Sequence, residues 1–279
     1  MTASASPALA LTIAGSEATG GAGAQADLKT FQELGVFGIA NLTCIVSFDP
    51  KNNWGHRFVP VDAQVIADQL EATTAAYGAA SGAPRVLDTV KIGMLGSPAT
   101  ISTVEAALSG GGFTNVVLDP VLICKGQEPG HALDTDQALK TRILPLATFV
   151  TPNHFEAESL SGLQINTLAD LVAAAKKIHE ISGAAVLAKG GVRLAGADAV
   201  DVFYDGETLE VLSAPKVGEV AVSGAGCSLA AAVTAELAKG ATALAAARTA
   251  KAFVTEGIKN RVPSGAPFTA LWQGGAGAN

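Results

Sequence analysis

Short apolar runs alternate with longer amphipathic stretches along most of this chain, and that alternation limits the available folds more than any other feature. The runs at residues 8–14, 86–92, 116–119, 147–151 and 185–189 each precede or follow a stretch with helical spacing of its apolar residues. Strands separated by helices in this way are the rhythm of βαβ units. Helices are expected over 25–34, 62–77, 98–108, 168–181, 226–239 and 244–259. The fold class that follows is α/β, a mostly parallel sheet flanked by helices.

A chain of 279 residues exceeds the usual single-domain size, yet α/β chains of this length often close around one sheet, so residues 1–279 are read as one domain. With 49% hydrophobic and 15% charged residues there is ample material for a core covered on both sides. The stretch 42–60 is less regular, extended around Cys44 and turn-like from Asp49 to Trp54, and reads as a flap projecting from the sheet. The tail 263–279, rich in Gly, Ala and Pro, reads as irregular and frayed, with no chemistry placed on it.

Composition also narrows the partners. A net charge of -7 and no run of Lys or Arg argue against nucleic acid and anionic membranes. No apolar run approaches the ~20 residues of a membrane span, and the first residues lack a secretory pattern. Three widely spaced cysteines, Cys44, Cys124 and Cys227, form no C-x-x-C pair and fit a reducing cytoplasm.

Parallel sheets bind ligands beyond the carboxyl ends of their strands, and the polar signals fall there. Gly224, Ala225, Gly226 and Cys227 run into a helix of small residues. Glycines let backbone N–H groups converge, and a helix start adds partial positive charge, so this segment can cradle a transferring phosphoryl group. It serves equally as a tight helix start with glycines for close packing. Cys227, at that start, has its thiolate favoured by the helix terminus and can accept a proton from a hydroxyl, although a small buried hydrophobe is the commoner fate of a free cysteine.

Asp119 and Glu156 follow strands whose ends should lie close together, and Mg²⁺ carried with a nucleotide needs only one or two carboxylates. A strand-end turn and an exposed first helical turn account for them as well. Lys189, before Gly190-Gly191, can reach a nucleotide phosphate or stand in solvent. There is no G-x-x-x-x-G-K-[ST] segment, which excludes a Walker-type loop.

Taken in order, Leu11-Thr12-Ile13-Ala14-Gly15-Ser16, the run from Gly20 to Thr30, Lys91-Ile92-Gly93-Met94, Asp119-Pro120, Thr151-Pro152-Asn153-His154-Phe155-Glu156, Lys189-Gly190-Gly191 and Gly224-Ala225-Gly226-Cys227 resemble the hydroxymethylpyrimidine and pyridoxal kinases of the ribokinase superfamily. The match runs from about residue 9 to 260. The resemblance implies a ribokinase-like three-layer α/β/α fold with a small substrate flap, ATP across the carboxyl edge of the sheet, and Mg²⁺ held with the help of Asp119 and Glu156. It implies an anion hole at Gly224, Ala225 and Gly226, Cys227 as catalytic base, Lys189 in the nucleotide site, and Gly15, Glu17, Asp27 and Met94 in segments lining the acceptor pocket. Members are often homodimers.

Two subfamilies differ in the flap. Hydroxymethylpyrimidine kinases usually carry a glutamine where this chain has Phe48, and an aromatic face suits a substituted pyridine better. Cys44-Ile45-Val46, Trp54, His56 and Cys124 are similar to the two-cysteine pyridoxal kinases of Gram-positive bacteria, which implies pyridoxal as acceptor. Cys124, close after Asp119-Pro120-Val121, either adds reversibly as a thiolate to the aldehyde or packs under its loop. Phosphorylation of hydroxymethylpyrimidine or its phosphate is the alternative. Glu17 departs from the family, which generally has aspartate there.

Overall fold

A computed structural model of the chain describes residues 6–110, 112–122 and 129–277. Its elements follow in the order β1 (Ala8–Glu17), α1 (Gly23–Glu33), β2 (Val36–Asp49), β3 (Gly55–Pro60), α2 (Ala63–Tyr77), β4 (Thr89–Ile92), α3 (Pro98–Ser109), β5 (Asn115–Leu118), α4 (Pro129–Ala138), β6 (Phe149–Val150), α5 (His154–Ser161), α6 (Leu168–Ser182), β7 (Ala185–Lys189), β8 (Asp198–Tyr204), β9 (Leu209–Pro215), α7 (Ala225–Ala238) and α8 (Ala243–Lys259). The nine strands form one sheet in the order β3-β2-β1-β4-β5-β6-β7-β8-β9. Pairing is parallel from β2 across to β7, and antiparallel at both margins, β2 with β3 and β7 through β9.

The central strands are apolar on both faces because both faces are covered. Along β5, Val116 and Leu118 join a cluster with Ile101 and Val104 of α3 and Ile178 of α6, while Val117 between them faces Leu229 of α7 and Phe253 of α8. Side chains of α2, α3, α5 and α6 therefore cover one face, and those of α1, α7 and α8 the other, giving the three layers expected from the sequence. The core of α7 is built from Ala230, Ala231, Ala232 and Ala235, all at 0% exposure, and such small side chains let the helix lie close against the sheet.

The flap is a continuation of β2. Beyond its pairing with β1, this 14-residue strand folds back through residues 50–54 into β3, with Cys44 opposite Pro60 and Asp49 opposite Gly55. The region read as irregular is thus a regular hairpin, whose turn carries Asn53 and Trp54 at positive φ.

The tail is a correction. Val262 and Ala270 exchange backbone hydrogen bonds, Ser223 donates to Thr269 and accepts from Leu271, and Leu271 is 2% exposed against Gly257 of α8. The Gln273 amide donates to Ser228 at 3.1 Å in the interior. A Gly- and Pro-rich composition reads as frayed only when the long-range partners of such a segment are unknown.

Candidate active site

The strand order reverses between β1 and β4, and a crevice opens beyond the carboxyl ends of strands at such a point. Gly15 and Glu17 end β1, Met94 follows β4, Asp119 follows β5, Lys189 ends β7, and α7 starts at Ala225. The topology therefore brings most of the sequence-chosen positions to one edge of the sheet.

At the start of α7 the chain passes through Gly224 with φ 79°. A Cβ there would lie 1.8 Å from the Gly21 carbonyl oxygen, so only glycine permits the close approach of the two loops. The Gly224 carbonyl accepts from Ser228 N at 2.8 Å and the Ala225 amide donates to Val222 O at 3.3 Å, which leaves the amides of Gly226 and Cys227 among the first, intrahelically unpaired donors of α7. Nearby, Gly23 at φ 61° would place a Cβ 2.3 Å from the Gly15 carbonyl, so the start of α1 is held equally close to β1.

Cys227 is half-buried in the first turn of α7. Burial pushes its thiol up to about 11; the Lys91 ammonium and the Gly23 amide pull it down, while the Asp119 and Asp27 carboxylates add to the rise. The direction is opposite to the pull of the helix terminus and favours the thiol in the ligand-free protein. Cys44, fully buried, is likewise raised to about 11 by burial.

A second cluster joins Asp119, Lys189 and Glu156. The Lys189 ammonium lies 3.4 Å from Asp119 Oδ1, and a Cβ on Gly226 would meet that same ammonium at 3.5 Å, so the lysine lies between the acid and the glycine-rich helix start. Burial opposes the charge of Lys189, but Asp119 and Glu156 outweigh it and raise its pKa. Glu156 closes a capping box with Asn153: Asn153 N donates to Glu156 Oε2 at 2.7 Å, and Glu156 N to Asn153 Oδ1 at 3.0 Å. It is thus a first-turn glutamate, yet a buried one, and burial raises it to about 7 against the pull of Lys189, with Asp119 and Asp136 adding to the rise.

On the β1 side, Glu17 is 7% exposed, and its carboxylate accepts from the backbone amides of Thr19, Gly21 and Ala22 and from the Thr19 hydroxyl. It organises the loop between β1 and α1. Asp27 lies fully buried in α1, with Oδ2 accepting from Thr12 at 2.6 Å and from the Lys91 ammonium at 2.9 Å. The β1–β4 register sets Lys91 opposite Thr12. Asp27 Oδ1 is buried without a hydrogen-bond partner. Burial raises Asp27; burial works against the Lys91 charge, but Asp27, Cys227 and Asp119 together raise Lys91 further.

Lys91 is the residue that sequence reasoning quoted in a motif without giving it a role. A lysine inside an apolar strand run is the signal that was available, because a buried cation requires a partner.

Gly15 sits where β1 and β2 shift register, and a Cβ there would be 2.5 Å from Cys44 Sγ; Met94 Sδ lies 3.7 Å from that sulfur. In the flap, Phe48 stacks against His56 with ring centroids 4.9 Å apart, Trp54 at 6.4 Å and Phe268 of the tail at 5.1 Å. Phe58 lies against Gly96, whose Cβ would be 2.6 Å from the ring. Cys124 lies outside the described residues.

The sequence profile of the phosphomethylpyrimidine kinase family matches residues 17–271. The chain belongs to this family. Among its relatives, a pyridoxine kinase of Bacillus subtilis is 46% identical over 259 residues, 91% of each chain. The fold matches a Bacillus subtilis pyridoxal kinase in an ADP complex with TM-score 0.88 and 44% identity, over 98% of this chain and 100% of that one. It matches a Staphylococcus aureus pyridoxal kinase in complex with AMP-PCP and pyridoxal with TM-score 0.87 and 36% identity, over 98% and 96% of the two chains. The protein is a phosphotransferase with the ribokinase-like fold expected from its motifs.

Proposed function

We propose that this kinase transfers the γ-phosphoryl group of ATP to the 5′-hydroxymethyl group of pyridoxal and related B6 vitamers, giving pyridoxal 5′-phosphate. The observation that carries this reading is the convergence of the glycine-rich α7 start, which includes Cys227, with the Lys189–Asp119 pair at the carboxyl edge of the sheet. The nucleotide complexes of similar pyridoxal kinases support ATP as co-substrate.

Phosphoryl transfer asks for positioning and charge neutralisation more than for covalent chemistry. The amides at Gly226 and Cys227, with that of Ala225 beside them, and the Lys189 ammonium receive the charge that develops on the transferring group. Cys227, as the thiolate, takes the proton of the attacking hydroxyl. Gly15, Met94 and Phe48 line the acceptor side, and Glu17 and Asp27 act one layer further in, holding the loop and the α1 start in place.

Asp119 and Glu156 fit Mg²⁺: the donors are carboxylate oxygens, and burial raises Glu156 with Asp119 adding to the rise, a rise that a bound cation would offset. When bound, Mg²⁺ supplies neutralisation of the phosphate charge.

Cys124 is assigned the reversible addition of its thiolate to the pyridoxal aldehyde, giving a hemithioacetal. We propose a cytoplasmic homodimer, the exposed Ile45 and Val59, paired across the two strands of the flap, offering an apolar surface for the second copy. No helix among the described residues is long and apolar enough to cross a membrane.

Specificity constants for pyridoxal, pyridoxine, pyridoxamine and hydroxymethylpyrimidine with Mg-ATP test the assignment. Pyridoxal should exceed hydroxymethylpyrimidine, and Phe48→Gln should narrow the gap; equal constants in the parent protein would overturn the choice of acceptor.

A further inference from the structure

The segment after α8 touches three working parts of the site at once. Its Ala270 pairs with Ser223, the residue before the glycine-rich helix start, and a Cβ on Gly21 of the Glu17-organised loop would meet Ala270 at 3.1 Å. Two residues earlier, the half-buried ring of Phe268 stacks on Phe48 at 5.1 Å and on Trp54 at 5.9 Å, both in the flap. The base of this turn is fixed: Val262 N donates to Ala270 O at 2.8 Å, Ala270 N to Val262 O at 3.1 Å, and the Ser264 hydroxyl to Phe268 O at 3.1 Å. Phe268 is therefore presented from a braced loop to the two-stranded hairpin at the margin of the sheet.

We propose that Phe268 is a positioning residue for phosphoryl transfer, holding the Phe48 ring and the flap tip over the acceptor site. The proposal rests on the assignment of this edge of the sheet as the kinase site and adds to it a residue from the Gly- and Pro-rich tail, on which no chemistry was placed from sequence. Tilted and edge-on ring pairs at these separations each shift an equilibrium by about two- to tenfold, so two of them favour the closed flap by about tenfold or more. Loss of that bias lowers the fraction of protein competent to bind the acceptor, which raises its apparent KM in proportion. An open flap also admits water to the γ-phosphate.

The experiment compares the full-length parent, Phe268→Ala, Phe268→Leu, Phe268→Tyr, Phe48→Ala and the Phe48→Ala/Phe268→Ala double variant in steady-state kinetics, using whichever acceptor the parent phosphorylates. Parent turnover with pyridoxal reports on the assignment, and the differences between variants report on Phe268. Phe268→Ala should raise the acceptor KM about tenfold with kcat within about threefold, and should increase ATP hydrolysed per phosphorylated product. Phe268→Leu should fall between, and Phe268→Tyr, which keeps the ring, should return to parental values. Because one of the two ring pairs of Phe268 runs to Phe48 and the other to Trp54, the double variant should lose clearly less than the product of the single losses. An unchanged KM and coupling ratio in both Phe268→Ala and Phe268→Leu, or losses in the double variant equal to the product of the single losses, would overturn the proposal.

Discussion

Substituting Gly224 with alanine puts the close approach of two loops at the anion hole to a quantitative test. The added Cβ would stand 1.8 Å from the Gly21 carbonyl oxygen, where carbon–oxygen contacts ordinarily begin near 3.3 Å, so one loop must retreat by about 1.5 Å. Gly21 has little room to do so, because its amide is held by Glu17 Oε2 at 2.9 Å and a Cβ on it would already meet Ala270 at 3.1 Å.

The φ of 79° adds about 1–2 kcal/mol for any L-residue, and forced repacking about 1–3 kcal/mol, for a total of about 2–5 kcal/mol. For a chain of this size that lowers the melting temperature by about 4–15 °C. Displacing the donors by about 1 Å should reduce kcat roughly 100-fold. Gly226→Ala is the contrast: its Cβ meets only the Lys189 ammonium, at an ordinary 3.5 Å, and alanine favours the helix by up to about 1 kcal/mol. Calorimetry and turnover on both variants check this. A Gly224→Ala protein with parental melting temperature and turnover within about threefold would refute the steric reasoning, as would a Gly226→Ala protein destabilised equally.

Cys227→Ala should leave the melting temperature within a few degrees and lower kcat by about 10² to 10⁴-fold; near-parental turnover would move the base elsewhere. Lys91→Met strips the buried Asp27 of its cation and should cost about 3–5 kcal/mol in urea unfolding, part of which Asp27→Asn in the same chain restores; additive losses would contradict the pairing. Glu156, ordinarily near 4.5 and raised by burial to about 7, contributes stability that is fully present below about 4.5 and lost as pH rises through about 7. Glu156→Gln, which does not ionise, should therefore show a smaller loss of unfolding free energy than the parent between pH 5 and pH 8, and an unchanged difference would refute this account.

The central strands were legible because coverage on both faces leaves a plain apolar run, as in residues 185–189, which became β7 without change. The margins were not. In β8, Asp198 and Asp201 interrupt the apolar pattern, and Asp201 is stable inside only because the Lys251 ammonium of α8 reaches it at 2.8 Å, a partner 50 residues away. In β9 the exposed Leu209 and Val211 alternate with little to mark a strand until β8 supplies its hydrogen bonds. The tail was illegible for the same reason: Ala270 carries no local signal for pairing with Ser223. The rule that ligands gather at strand carboxyl ends needs only the strands, so the edge of the sheet to inspect was legible. What that rule cannot supply is depth: that the Glu17 carboxylate accepts from Gly21 N and that Asp27 accepts from Thr12 in the interior is visible only in the fold.

The protonation of Cys227 shows the same limit in its chemical form. A cysteine at a glycine-rich helix start reads as a thiolate if the helix alone is considered, but burial pushes this thiol up to about 11, the Lys91 ammonium and the Gly23 amide opposing that rise and the Asp119 and Asp27 carboxylates adding to it. The three charges come from other elements: Asp27 from α1, Lys91 from β4 and Asp119 from the end of β5. To take the hydroxyl proton in the proposed role, Cys227 must first give up its own, because a neutral thiol has no site for a second proton. A cation held at Asp119 would offset one of the two carboxylates that add to the rise and so would favour the thiolate. The same carboxylate that disfavours the base in the ligand-free protein would thereby link its activation to the phosphoryl donor.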